Sequence, residues 1–201
     1  MSGDIDFYFD FSSPYGYFAS TRIEALADKY RRTLRWHPML LGVAFKTTGA
    51  APLPLVPLKG EYSYRDFERS ARFHDIPYRR PPQFPLSTQL AARAMLWLQQ
   101  SAGSAQAVGF MHAVYRAYFV DGADISQPDT IAGLAGALGI DGAALLEAAS
   151  SAPVKDSLRT EVENAIARGV FGSPFVIVDD EPFWGFDRFG QLEAFLRDGK
   201  I

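Results

Sequence analysis

Strand-type sequence is confined to the two ends of the chain. Residues 4–10, DIDFYFD, alternate polar and apolar positions, and residues 33–40, TLRWHPML, return to the same chemistry, with Pro38 marking a strand end. Near the other terminus, PFVIVDD (174–180) is an apolar strand, and EPFWGF (181–186) is a short second strand after an Asp-Asp turn. Residues 14–31 carry Tyr15, Ala19, Ile23, Leu26 and Tyr30 on one helical face. Residues 187–200 read as a terminal helix with Asp187 as its cap and Gly199-Lys200 as its stop. From 62 to 168 every signal is helical: 62–75 before Pro77, 87–100 behind a Ser/Thr cap, then 105–119, 126–138, 141–149 and 154–168. The order is βαβ, a block of helices, then ββα. It predicts an α/β chain whose terminal fragments complete one mixed four-stranded sheet, with a large all-helical insertion between them. Residues 1–61 and 169–201 then form the sheet domain, and 62–168 the insertion.

Composition narrows the class. Apolar residues make up 48% of 201, enough for a substantial core without staples. The net charge is −3, with both signs interspersed. No basic stripe points to nucleic acid, and no Lys/Arg block to an anionic membrane. No apolar run approaches the roughly 18–20 residues that span a bilayer. No cationic start leads into an apolar stretch, so no secretory signal is expected. Cysteine is absent, which removes disulfides, thiolate metal sites and any protein thiol nucleophile, and fits a cytoplasmic protein. No metal site is expected.

The first strand stops at Ser12-Ser13-Pro14 and a helix begins at once. Serine at the cap and proline at the first helical position are ordinary preferences. The same corner gathers free N–H groups and the positive end of a helix dipole, which favours an anion. Ser13 as a nucleophile would need a base, and there is no G-x-S-x-G elbow; His37, His74 and His112 read as surface or core residues. The functional reading of Ser13 is therefore a hydroxyl that donates to a bound anion. Gly172-Ser173-Pro174 precedes the third strand. It is either a trans proline leading a strand or the cis-proline that thioredoxin-like proteins keep there.

The segments FYFDFSSPYGYFA, FKTTG and GVFGSPFVIVDDEPFWGFDR, together with the helical insertion, resemble the 2-hydroxychromene-2-carboxylate isomerases. These are relatives of kappa-class glutathione transferases in the DsbA-like branch of the thioredoxin superfamily. The resemblance spans the whole chain. It implies a thioredoxin-like fold with glutathione as cofactor, supplying the thiol that the chain lacks. It implies that Ser13 stabilises the glutathione thiolate and that Ser173, before a cis-Pro174, pairs its backbone with the cysteinyl part. Trp184, Gly185, Phe186 and Asp187 would hold the γ-glutamyl end, with Arg188 following the family pattern, and Lys46 and Ser87 would lie on the substrate side. Ala50 and Ser87 stand where the family often has asparagine. The implied reaction is glutathione-dependent cis-trans isomerisation of 2-hydroxychromene-2-carboxylate to trans-o-hydroxybenzylidenepyruvate, or of a related aromatic or unsaturated 2-oxo acid, in aromatic hydrocarbon catabolism. A kappa-like transferase that conjugates an electrophile, or a non-catalytic thioredoxin-like binding module, are the alternatives. The oligomeric state, monomer or homodimer, is left open.

Overall fold

A computed structural model describes residues 3–201 of the chain. Four strands form one sheet in the order β2-β1-β3-β4: β1 (Ile5–Phe9), β2 (Leu34–Pro38), β3 (Phe175–Val178) and β4 (Glu181–Trp184). β1 and β2 are parallel, with Ile5 opposite Leu34 and Phe9 opposite Pro38. A parallel pair needs a crossover, which α1 (Pro14–Lys29) supplies. β3 runs antiparallel to β1, with Ile5 opposite Val178, and joins the two ends of the sequence. β3 and β4 form a hairpin across Asp179 and Asp180, whose φ values of 50° and 64° are those a two-residue turn of matching twist demands. Asp179 is held there by Arg32 at 2.6 Å and by the Gly3 N–H at 2.8 Å.

Between the sheet fragments lie α2 (Leu41–Thr48), α3 (Lys59–Phe73), α4 (Gln89–Ser101), α5 (Ser104–Arg116), α6 (Pro128–Ala137), α7 (Gly142–Ser150) and α8 (Ala152–Ala167). α5 widens into a π-type turn at Ala117–Asp121, and α9 (Phe189–Asp198) closes the chain. The sheet is covered on both faces. Phe7, Phe9, Val176 and Val178 pack with α1, α4 and α5, while Tyr8, Phe175 and Ile177 pack with Ala44 of α2 and Ala165 of α8.

Two local expectations are corrected. Asp187 does not cap the terminal helix. It lies in a 3-10 turn at Phe186–Arg188, its carboxylate goes to Arg188 at 2.9 Å, and α9 starts two residues later without a side-chain cap. The Ser/Thr cap of α4 is also absent, because the Thr88 hydroxyl turns inward to Asp10 at 2.9 Å. FKTTG forms the last turn of α2, ended by Gly49 in the left-handed conformation.

Candidate functional site

The N-terminus of α1 faces the loop before β3. Ser13 caps α1: its Oγ accepts the Gly16 N–H at 3.0 Å and donates to the Ser173 carbonyl at 2.8 Å. The Ser173–Pro174 bond is cis, as the family resemblance implies. The Ser173 hydroxyl accepts the Asp10 N–H at 3.0 Å. Asp10, buried under this corner, is a node for several segments. It receives the Ser12 N–H at 2.8 Å, the Ser12 hydroxyl at 2.9 Å, the Thr88 hydroxyl at 2.9 Å and the Leu41 N–H at 2.7 Å. Burial pushes the Asp10 carboxyl above its ordinary value, against the pull of these donors. Gly16 makes the junction this close: a Cβ there would lie 2.7 Å from the Ser173 Oγ and 2.9 Å from the Tyr115 hydroxyl.

The corner opens on a cavity of about 780 Å³, within the roughly 300–1,000 Å³ of small-molecule sites. Ser13, Ser173, Trp184, Gly185, Phe186 and Asp187 all line it. The Gly185 N–H donates to the Pro174 carbonyl at 3.0 Å, from a φ of 102° that favours glycine. The Trp184 indole lies over Gly172, where a Cβ would fall 2.2 Å from Nε1, and meets Phe171 edge-on at 4.9 Å. Phe186 is buried against Phe18 and His74. Phe45 and Thr48 of α2, with the Pro-rich stretch 50–54, form the opposite wall.

Two residues assigned to the substrate side are not among those lining the cavity. Lys46 is exposed on α2, because Phe45 and Thr48 are the residues of that turn directed to the cavity. Ser87 is exposed too, while its neighbour Thr88 is drawn in by Asp10. Among the described residues, Arg188 is the lining Lys or Arg side chain, and it is paired with Asp187.

Three lining residues carried no sequence signal. The Tyr15 hydroxyl donates to Asp66 of α3, which also pairs with Arg69. Burial, then Asp66, holds the Tyr15 phenol far above its usual value. His74 ends α3, and burial, then Arg22, lowers its pKa, which favours the neutral imidazole. Tyr15 reads as one more apolar helix position, and Asp66 and His74 as surface residues of a helix. Only tertiary packing brings them to Ser13. The Phe84–Pro85 bond beside them is also cis.

A central sheet with a helix N-terminus facing a cis-proline loop defines a thioredoxin-like protein, and the DsbA-like thioredoxin domain model matches residues 4–197. Within that class the chain belongs to the family of the 2-hydroxychromene-2-carboxylate isomerases. The enzyme of that name from Sphingobium xenophagum is 32% identical over 98% of this chain and 100% of its own length. A glutathione S-transferase kappa 2 from Caenorhabditis elegans is 26% identical over 96% of this chain and 92% of its own. A solved structure of a 2-hydroxychromene-2-carboxylate isomerase superposes with a TM-score of 0.87, at 28% identity, over 96% of this chain and 94% of that one.

Proposed function

We propose that the protein is a glutathione-dependent isomerase of 2-hydroxychromene-2-carboxylate or a related aromatic 2-oxo acid, acting in the cytoplasm. The observation that carries this reading is the Ser13–Ser173 corner, a hydroxyl at a helix start opening on a wide cavity in a chain without a thiol. The corner fits glutathione. The Ser173 N–H has no backbone or side-chain partner among the described residues, and its carbonyl lies beside it on the cavity wall, so a ligand backbone can pair there as an added strand. Gly185, Phe186 and Asp187 stand at the end of β4, where the γ-glutamyl end would lie, with Trp184 flanking it.

Bound glutathione supplies a thiolate whose reversible addition turns a double bond into a single bond free to rotate. The chain's part is to lower the thiol pKa from its ordinary value of about 8.5, using the Ser13 hydroxyl and the α1 dipole. Phe45, Phe67 and Phe84 wall a region poor in water for a flat substrate. Arg188 is the lining cation suited to a carboxylate. The test follows 2-hydroxychromene-2-carboxylate optically with and without glutathione. The reading requires a rate that depends on glutathione, saturates in it and leaves total glutathione unchanged.

A second reading, a transferase that keeps the adduct, is favoured by the exposure of Lys46 and Ser87. The residues assigned to holding a 2-oxo acid are then not where it would lie. Consumption of glutathione in the same assay selects this reading.

A further inference from the structure

Ser13 has one hydroxyl proton, and in this structure the Ser173 carbonyl receives it at 2.8 Å. A thiolate laid at the start of α1 needs the same proton. The Ser173 Oγ accepts the Asp10 N–H at 3.0 Å on the buried side of the corner, next to Gly16. The Ser173 peptide therefore presents a free N–H next to a carbonyl occupied by a hydroxyl. This is a strand edge with one of its two positions already filled.

We propose that the Ser173 carbonyl is a positioning group: it holds the Ser13 proton until a backbone N–H of the ligand replaces it. The site then ionises thiols carried on a peptide backbone and leaves simple thiols protonated. The inference rests on the glutathione reading above. Ser13 is built for such a hand-over. Its oxygen is fixed by the Gly16 N–H at 3.0 Å, so only the proton has to move, by rotation about Cβ–Oγ. The rotation exchanges a neutral O–H···O bond for a charge-assisted one to sulfur, and the vacated carbonyl accepts an N–H. The proton lost by the thiol goes to water. One hydrogen bond is given up and two are formed, so thiolate formation is coupled to correct seating of the ligand backbone.

The experiment compares glutathione with its depsipeptide analogue, in which an ester oxygen replaces the cysteinyl N–H. Calorimetry gives the affinity of each for the full chain, and thiolate absorbance at ligand saturation gives each thiol pKa. The expected result is that the ester binds no more than about tenfold more weakly, as for one lost hydrogen bond. Its bound thiol should titrate at least about one pKa unit above that of bound glutathione, a tenfold lower thiolate-to-thiol ratio. Ser13→Ala should bring the two ligands to the same value. The proposal is overturned if the ester ionises as fully as glutathione, if the difference survives Ser13→Ala, or if the ester does not bind. Failure of glutathione itself to bind removes the glutathione reading, a separate and visible outcome.

Discussion

Ser13 is both the cap of α1 and the partner of the Ser173 carbonyl, and it is the proposed donor to the thiolate. Ser13→Ala should cost about 1 kcal/mol of stability through the lost cap. It should raise the pKa of bound glutathione and cut turnover about tenfold or more, with affinity changed much less, because the backbone of residue 173 remains. A thiolate titration unchanged by the substitution would remove Ser13 from the chemistry. Gly16 makes a sharper test of geometry, since no functional atom is lost. Gly16→Ala forces a Cβ to 2.7 Å from the Ser173 Oγ. The start of α1 has to shift, for a cost of about 1–3 kcal/mol and a raised thiol pKa. Gly109 is the control. A Cβ there meets nothing within 4 Å, and Gly109→Ala in α5 should be stabilising by about 0.5–1 kcal/mol in urea unfolding. Ser13 and Pro174 could be read from sequence because capping and proline act locally. Tyr15, Asp66 and His74 could not, because α1 and α3 meet only after folding, and nothing in either segment encodes the meeting.

At the scale of elements, β1, β2 and α8 are tied by a charged cluster on the sheet face away from α1. His37 of β2 contacts Glu161 of α8 at 2.5 Å and Asp6 of β1 at 3.0 Å, and Arg168 beyond α8 pairs with Asp6 at 2.7 Å. Burial alone would lower the His37 pKa, but Glu161 and Asp6 outweigh it and hold the imidazolium above its ordinary value. A raised folded-state pKa gives stability that is complete below the unfolded value, about 6.5, and is lost as the pH rises through the folded value. Urea unfolding from pH 6 to pH 9 should therefore show declining stability, and His37→Gln should flatten that decline. Identical slopes in both proteins would mean that the cluster does not couple α8 to the sheet. The strands themselves are legible, because β1 and β2 keep strand-type patterning over five residues and β3 is a short apolar run bounded by proline and an Asp-Asp turn. α2 is not. Its eight residues begin at Leu41, behind Leu40, which offers no side-chain cap, just ahead of a Pro-rich stretch. The resemblance puts Lys46 on the substrate side, whereas on α2 it is exposed and is not among the residues lining the cavity.

For the whole molecule, the boundaries at 61 and 169 divide the chain by topology, and the core crosses them. Phe9 and Phe11, from the end of β1, meet the Tyr115 ring of α5 at 5.8 and 5.3 Å, and Tyr17 of α1 stacks on Phe119 at 5.5 Å. These rings belong to one buried cluster that also holds Val176 and Val178 of the sheet and Leu145 and Leu158 of the helical segment. Neither part can unfold without exposing aromatic surface of the other, so the two should melt together. With Trp97 of α4 replaced by Phe, Trp36 on β2 and Trp184 on β4 report on the sheet, and far-UV circular dichroism reports mainly on the helices. Their urea transitions should coincide, with equal calorimetric and van't Hoff enthalpies. Phe119→Ala, on the helical side of the junction, should lower stability by about 3–5 kcal/mol while keeping a single transition. It should also weaken glutathione binding, because Tyr115, which packs on Phe119, donates its hydroxyl to the Asp10 carbonyl at 3.1 Å beneath the Ser13 corner. Two separated transitions, with the tryptophan signal unmoved by the substitution, would show that residues 62–168 fold as an independent lobe and that the site is built by the sheet domain alone.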